Sequence, residues 1–178
     1  EDALELVTEL SGFAQELGIL SVALMVDPDE NLFEQVLHDV GPNAIQLQGQ
    51  ENPRQVQRMW RDASGICEVW KGVGIGNPDD FEKVEDFSGV DRVLLDAKPP
   101  EGADLPGGNG VTSDWSLFED LQLDKPWLLA GGLTPDNVAA AITATGAHAV
   151  DVSTGVERER GVKDEDQIRA FIDAAKYS

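Results

Sequence analysis

Apolar residues along the chain alternate between two spacings. Stretches with helical spacing are separated by short apolar runs that read as strands. Residues 1–17 carry Ala3, Leu4, Leu6, Val7, Leu10, Phe13, Ala14 and Leu17 at helical spacing, and Gly18 stops the run. Residues 21–26 read as a strand, followed by the turn Asp27-Pro28-Asp29. A second helix is predicted over 31–40, with Leu32, Phe33, Val36 and Leu37 inward, before the break Gly41-Pro42-Asn43. Residues 44–47 form a short strand, and Asn52-Pro53 opens a third helix through Met59, Trp60 and Ala63. Strands at 66–73 and 90–96 flank a helix at 78–87. The stretch 97–113 holds Pro99-Pro100 and Gly107-Gly108-Asn109-Gly110, and reads as a functional or disordered loop. Asp114 caps a short helix over 115–121.

The last third of the chain is the most organised. Two apolar runs, Trp127-Leu128-Leu129 and Ala147-His148-Ala149-Val150, are each followed by a small-residue loop, Ala130-Gly131-Gly132 and Ser153-Thr154-Gly155. Thr134 as N-cap and Pro135 at the first helical position start the helix between them, and Gly146 ends it. This is a βαβ unit with two anion-receptive loops at one end. A final helix over 164–176 has Ile168, Phe171, Ile172 and Ala175 inward. A helix followed by six strand–helix units predicts an α/β fold with a parallel sheet, in a single domain spanning 1–178. An open doubly wound sheet and a closed barrel both fit. The paired loops sit where barrels bind phosphate, so they favour a (β/α)8 TIM-type barrel and a small phosphorylated ligand.

Charge narrows the partners. Asp and Glu total 34 against 13 Lys plus Arg, a net charge of −21. The acids are spread along the chain, which predicts a surface adapted to high salt. Such a chain repels nucleic acid and anionic membranes, so neither is an expected partner. No apolar run approaches the roughly 20 residues of a spanning helix. The lone cysteine, Cys67, excludes an internal disulfide or a cysteine-based zinc site and suggests a reducing, cytoplasmic setting.

Several segments, taken together in order and spacing, resemble phosphoribosylanthranilate isomerase. They are Ile45-Gln46-Leu47-Gln48-Gly49, Val93-Leu94-Leu95-Asp96, Gly107-Gly108-Asn109-Gly110 with Asp114-Trp115, Ala130-Gly131-Gly132-Leu133-Thr134-Pro135-Asp136-Asn137-Val138, and Asp151-Val152-Ser153-Thr154-Gly155-Val156-Glu157 before Gly161-Val162-Lys163-Asp164. The resemblance implies a (β/α)8 barrel enzyme of tryptophan biosynthesis. It performs an Amadori rearrangement of an aminoaldose phosphate to an aminoketose phosphate, without cofactor or metal. The match begins at the family's second helix, so six of its eight strands are expected here. The family's catalytic base, a cysteine on the first strand, has no counterpart. Cys67 lies in the fifth family strand and reads as a small core side chain. Gln48 stands where the family usually has His, and Val111 where a Lys often follows the glycine loop. Glu1 opens directly inside a helix, and a completing N-terminal segment carrying the base is expected; a homo-oligomer is the other candidate partner.

The resemblance assigns roles. Asp96, at the end of an apolar strand, is the general acid that opens the furanose ring. Alone, it reads first as a loop cap or a partner of backbone N–H groups. Gly131, Gly132, Ser153, Thr154 and Gly155 bind the phosphate through backbone N–H groups and hydroxyls. Asp151 faces the same mouth, ordering N–H groups or touching ribose hydroxyls. Gln46 and Gln48 position substrate, and Gly108 belongs to a loop that closes over the anthranilate ring. His38 and His148 read as structural. The alternatives are a non-catalytic phosphate-binding barrel fragment and half of a two-chain enzyme.

Overall fold

The computed structural model describes residues 2–98, 114–119 and 121–177. Its helices are α1 (Asp2–Glu16), α2 (Glu30–Gln35), α3 (Pro53–Asp62), α4 (Glu82–Glu85), α5 (Val138–Thr145) and α6 (Glu165–Lys176). Strands β1 (Val22–Met25), β2 (Ala44–Leu47), β3 (Glu68–Ile75), β4 (Arg92–Ala97) and β5 (Trp127–Ala130) form one sheet in that order. Pairing is parallel from β1 to β2 and from β2 to β3, with Val22 opposite Ala44 and Ala44 opposite Glu68. A hairpin of β6 (Glu157–Glu159) and β7 (Val162–Lys163) stands apart. The fold is α/β, with the strand–helix alternation of the (β/α)8 class.

The chain divides into two compact units. One comprises residues 1–72 and 84–93, the other 73–83 and 94–178. The first is built on Phe33, Leu37, Ile45, Leu47, Val56 and Val69, all essentially buried. Helix α3 starts as its sequence demands. Asn52 accepts from the backbone N–H groups of Arg54 and Gln55, and the Gln55 side chain accepts from Asn52 N–H. Helix α2 ends in a wider π turn, Val36–Val40, closed by Gly41 at φ 58°. Phe33, Val36 and Leu37 are buried as expected, but Leu32 is 42% exposed. It lies off the 33/36/37/40 stripe that faces the core. Strand β3 begins two residues later than predicted. Ile66 and Cys67 both donate to Ala63 O and remain in the turn after α3. Cys67 is therefore only half-buried, not a core side chain. On α1, Leu6, Leu10 and Phe13 are each more than half exposed, as are Leu17 just after it and Leu24 on β1.

In the second unit, Phe118 is fully buried between Phe81, edge-on at 5.6 Å, and Trp127, stacked at 6.2 Å. The predicted helix at 78–87 is a 3-10 turn, Pro78–Phe81, followed by the single turn of α4. The strand expected at 147–150 contracts to one parallel bridge, Leu129 to Val150. Helix α5 starts at Val138 rather than after Thr134. The capping runs the other way: Asn137 Oδ1 accepts from Thr134 N–H at 2.8 Å. On α6, which packs against α5 and the 154–156 turn, Phe171 is buried while Ile168 and Ile172 are exposed.

The first unit holds a buried ion pair. Lys71 and Glu51 side chains are 4% and 2% exposed, with Nζ and Oε2 3.1 Å apart, out of line for a hydrogen bond. Lys71 Nζ donates to Leu47 O, Gly49 O and Gly72 O, and Glu51 Oε1 accepts from Asp27 N–H and Gly49 N–H. Removing one partner leaves an unpaired buried charge. Lys71→Met is expected to cost about 3–5 kcal/mol in urea unfolding. The paired change Lys71→Met with Glu51→Gln should cost clearly less; equal losses would show that packing, not charge, sets the value.

Candidate active site

Strand ends of the second unit gather the acidic and glycine residues. Asp96 precedes the last residue of β4, Gly131 follows β5, and Asp151 follows the bridge at Val150. Asp151 N–H donates to Leu129 O at 2.8 Å, so its place is fixed by the bridge. Gly131 has φ +99°, and a Cβ there would overlap Ala97 O and stand 2.8 Å from Asp96 Oδ1. Only glycine lets this loop pass over the Asp96 carboxylate. Gly155 meets the same constraint, since a Cβ would run into Leu133 O. The loop 131–134 and the loop 153–155 are thus in backbone contact.

Two residues not singled out from sequence hold these loops. Asn137 Nδ2 donates to Gly132 O at 3.0 Å, while its Oδ1 takes the Thr134 N–H. Lys163 Nζ donates to Ser153 O at 2.9 Å, Ser153 Oγ at 3.2 Å and Glu157 Oε1 at 2.8 Å.

The electrostatics suit an acid. Burial pushes the Asp96 carboxyl above the usual carboxylate range, with the Lys98 charge opposing. Burial also raises Asp151, the Asp96 charge adds to the rise, and Lys163 opposes it. The two carboxylates therefore influence each other's protonation.

Gln46 and Gln48 belong to the first unit. Gln46 is buried and donates its Nε2 to Gln48 Oε1 at 3.0 Å. The Gln48 carboxamide lies across Gly72, where any Cβ would overlap it. Gly108 lies outside the described residues. His38 sits on an exposed helix surface 3.6 Å from Glu34, and His148 is exposed. Among the described residues, no three His, Cys, Asp or Glu side chains cluster to hold a metal, and no helix is long and apolar enough to cross a membrane.

Acids at parallel strand ends beside paired glycine loops are the arrangement of an α/β enzyme. The family model for N-(5'-phosphoribosyl)anthranilate (PRA) isomerase matches residues 7–174. The isomerase of Hyphomonas neptunium is 50% identical over 157 residues, covering 88% of this chain and 73% of that protein. That of Paracoccus denitrificans is 49% identical, covering 88% and 72%. Among solved structures, the Thermotoga maritima isomerase superposes with a TM-score of 0.77 at 36% identity, covering 100% of this chain and 80% of that one. A PRA isomerase in complex with reduced 1-(o-carboxyphenylamino)-1-deoxyribulose 5-phosphate gives 0.72 at 32% identity, covering 100% and 79%. The chain belongs to the PRA isomerase family, and it spans about three quarters of the length of these curated relatives.

Raised carboxyl pKa values carry a stability cost. An unfolded Asp titrates near 3.9, and the folded Asp151 holds its proton to higher pH. Above the folded value the native state bears the charge at a penalty; below the unfolded value the penalty is absent. Asp151→Asn should therefore raise Tm by a few degrees at pH 7, with the gain fading as pH falls toward 4. A gain independent of pH would show that packing, not charge, is responsible.

Proposed function

We propose that Asp96 is the general acid and that the loops at Gly131–Gly132 and Ser153–Gly155 hold the substrate phosphate. The enzyme is a PRA isomerase of tryptophan biosynthesis, and the reaction is an Amadori rearrangement. The Asp96 carboxyl gives its proton to the furanose ring oxygen, the C1–O bond breaks, and a Schiff base forms at C1. A base then removes the C2 proton, and the resulting enolamine tautomerises to the aminoketose phosphate. The observation that carries this reading is the half-buried Asp96, its carboxyl raised by burial, directly under the Gly131 loop. A raised pKa keeps a larger fraction of a carboxyl in its protonated, donating form than it would have unburied at the same pH.

Asp151 would order the ribose side of the substrate. Gln46 and Gln48 would help position substrate: the Gln48 carboxamide can donate a hydrogen bond where the family usually has His, but cannot shuttle a proton. Gly108 would belong to the closing loop. The base would come from a completing N-terminal segment, as the family resemblance implies. Both units would act as one domain, which the family match across 7–174 supports. The half-buried free thiol of Cys67 fits a cytoplasmic enzyme.

Asp96→Asn is expected to lower PRA turnover by about 10²–10⁴-fold with Tm unchanged or higher. Turnover near the starting level would remove Asp96 from the acid role. The acidic surface supports a salt-adapted enzyme, and the exposed row on α1 and β1 supports a covered face, filled by a second copy or by the completing segment. Melting and light scattering of the full protein across a potassium chloride series check both. Tm should rise with salt as self-repulsion is screened; a flat Tm would remove the salt-adapted reading, and a monomer would remove the second copy.

A further inference from the structure

Lys163 lies outside every role assigned above, yet it reaches the phosphate loop. Its place is set by the hairpin: Glu157 and Lys163 are cross-strand partners of β6 and β7. Gly161 at φ +82° makes the turn between those strands, and Asp164, next along, caps α6. From there Nζ reaches back ten residues to Ser153.

An ammonium has three donors. Those of Lys163 are taken by Ser153 O, Ser153 Oγ and Glu157 Oε1. None is left for a ligand, so Lys163 has no direct contact to offer. A hydroxyl has one proton and two lone pairs. With Lys163 donating to one lone pair, the Ser153 O–H is turned away from the cation and toward an acceptor. Ser153 itself is exposed, open to such an acceptor. The ammonium also offsets Asp151, whose negative charge would otherwise oppose an anion nearby.

We infer that Lys163 is a positioning residue of the phosphate loop: it orients the Ser153 hydroxyl as a donor to the substrate phosphate and neutralises the acidic flank of that loop. This rests on the reading that the 131–134 and 153–155 loops bind the phosphate. An ordinary hairpin lysine would serve only the Glu157 pair, and its removal would touch stability alone.

The experiment compares the full protein with Lys163→Met, Lys163→Arg, Ser153→Ala and the double variant Lys163→Met with Ser153→Ala. It measures steady-state kinetics on PRA and inorganic phosphate binding by calorimetry. Lys163→Met should raise KM for PRA and Kd for inorganic phosphate by about 3–10-fold, with kcat within about twofold and Tm within a few degrees. Lys163→Arg should recover part of the loss. In the Ser153→Ala background, Lys163→Met should add less than in the native background, because part of its effect passes through that hydroxyl. Unchanged KM and Kd in Lys163→Met would overturn the inference while leaving the phosphate reading intact. Full additivity with Ser153→Ala would overturn the route through the hydroxyl. Absence of phosphate binding to the native protein, with Gly131→Val leaving KM unchanged, would overturn the phosphate reading and the inference together.

Discussion

The Lys71–Glu51 pair is the interaction on which the first unit's loop ends depend. Parallel strands end with loops whose backbone groups have left the ladder, and buried ones must find partners. Glu51 collects two N–H groups, those of Asp27 and Gly49, from the ends of β1 and β2. Lys71 collects three carbonyls, those of Leu47, Gly49 and Gly72. Neither charge could be buried alone. The chain has only 13 basic residues against 34 acidic ones, and it buries one of them almost completely. That placement keeps the β2 end, where Gln46 and Gln48 lie, in one geometry.

The second unit solves a related problem with a different degree of burial. Lys163 also satisfies loop acceptors, but its side chain is 44% exposed. Lys71 has no route to solvent or ligand, so its effect falls on stability. Lys163 sits beside the mouth, so its effect falls on the anion the loop receives. The contrast follows from strand phase. Lys71 is on the buried face of β3, among Val69, Val73 and Ile75, whereas Lys163 is on a two-residue hairpin strand open to water.

Period and caps made most elements legible in the sequence. Asn52-Pro53 announced α3, Gly146 ended α5, and Asp164 opened α6. What failed was local. Thr134-Pro135 reads as a helix start, yet Asn137 captures the Thr134 N–H and delays the helix to Val138. The β6–β7 hairpin has no apolar alternation to betray it; the Gly161 turn and the Glu157–Lys163 pair make it. In the site, the glycines at 131 and 155 were readable because close backbone approach requires them, while the role of Asp96 was legible only through the family resemblance. The ties made by Lys163 and by Asn137 were not, because each joins residues through folding rather than through a recognisable motif.

The acid role proposed for Asp96 requires a carboxyl insulated from the rest of the protein. A net charge of −21 surrounds the molecule with a negative field, and that field weakens as salt rises. Asp96 owes its raised pKa first to burial, and the opposing charge is Lys98, two residues away. Burial is a property of packing and does not change with ionic strength. Short-range coupling between Asp96 and Asp151 inside a partly dry site is screened much less than surface repulsion. Surface charges can therefore respond to the medium while the Asp96 carboxyl is governed by its burial in β4, the Gly131 loop and Lys98. The same separation explains why the glycine at 131 matters beyond its turn. By letting backbone rather than side chain cover Asp96, it keeps the carboxyl half-buried.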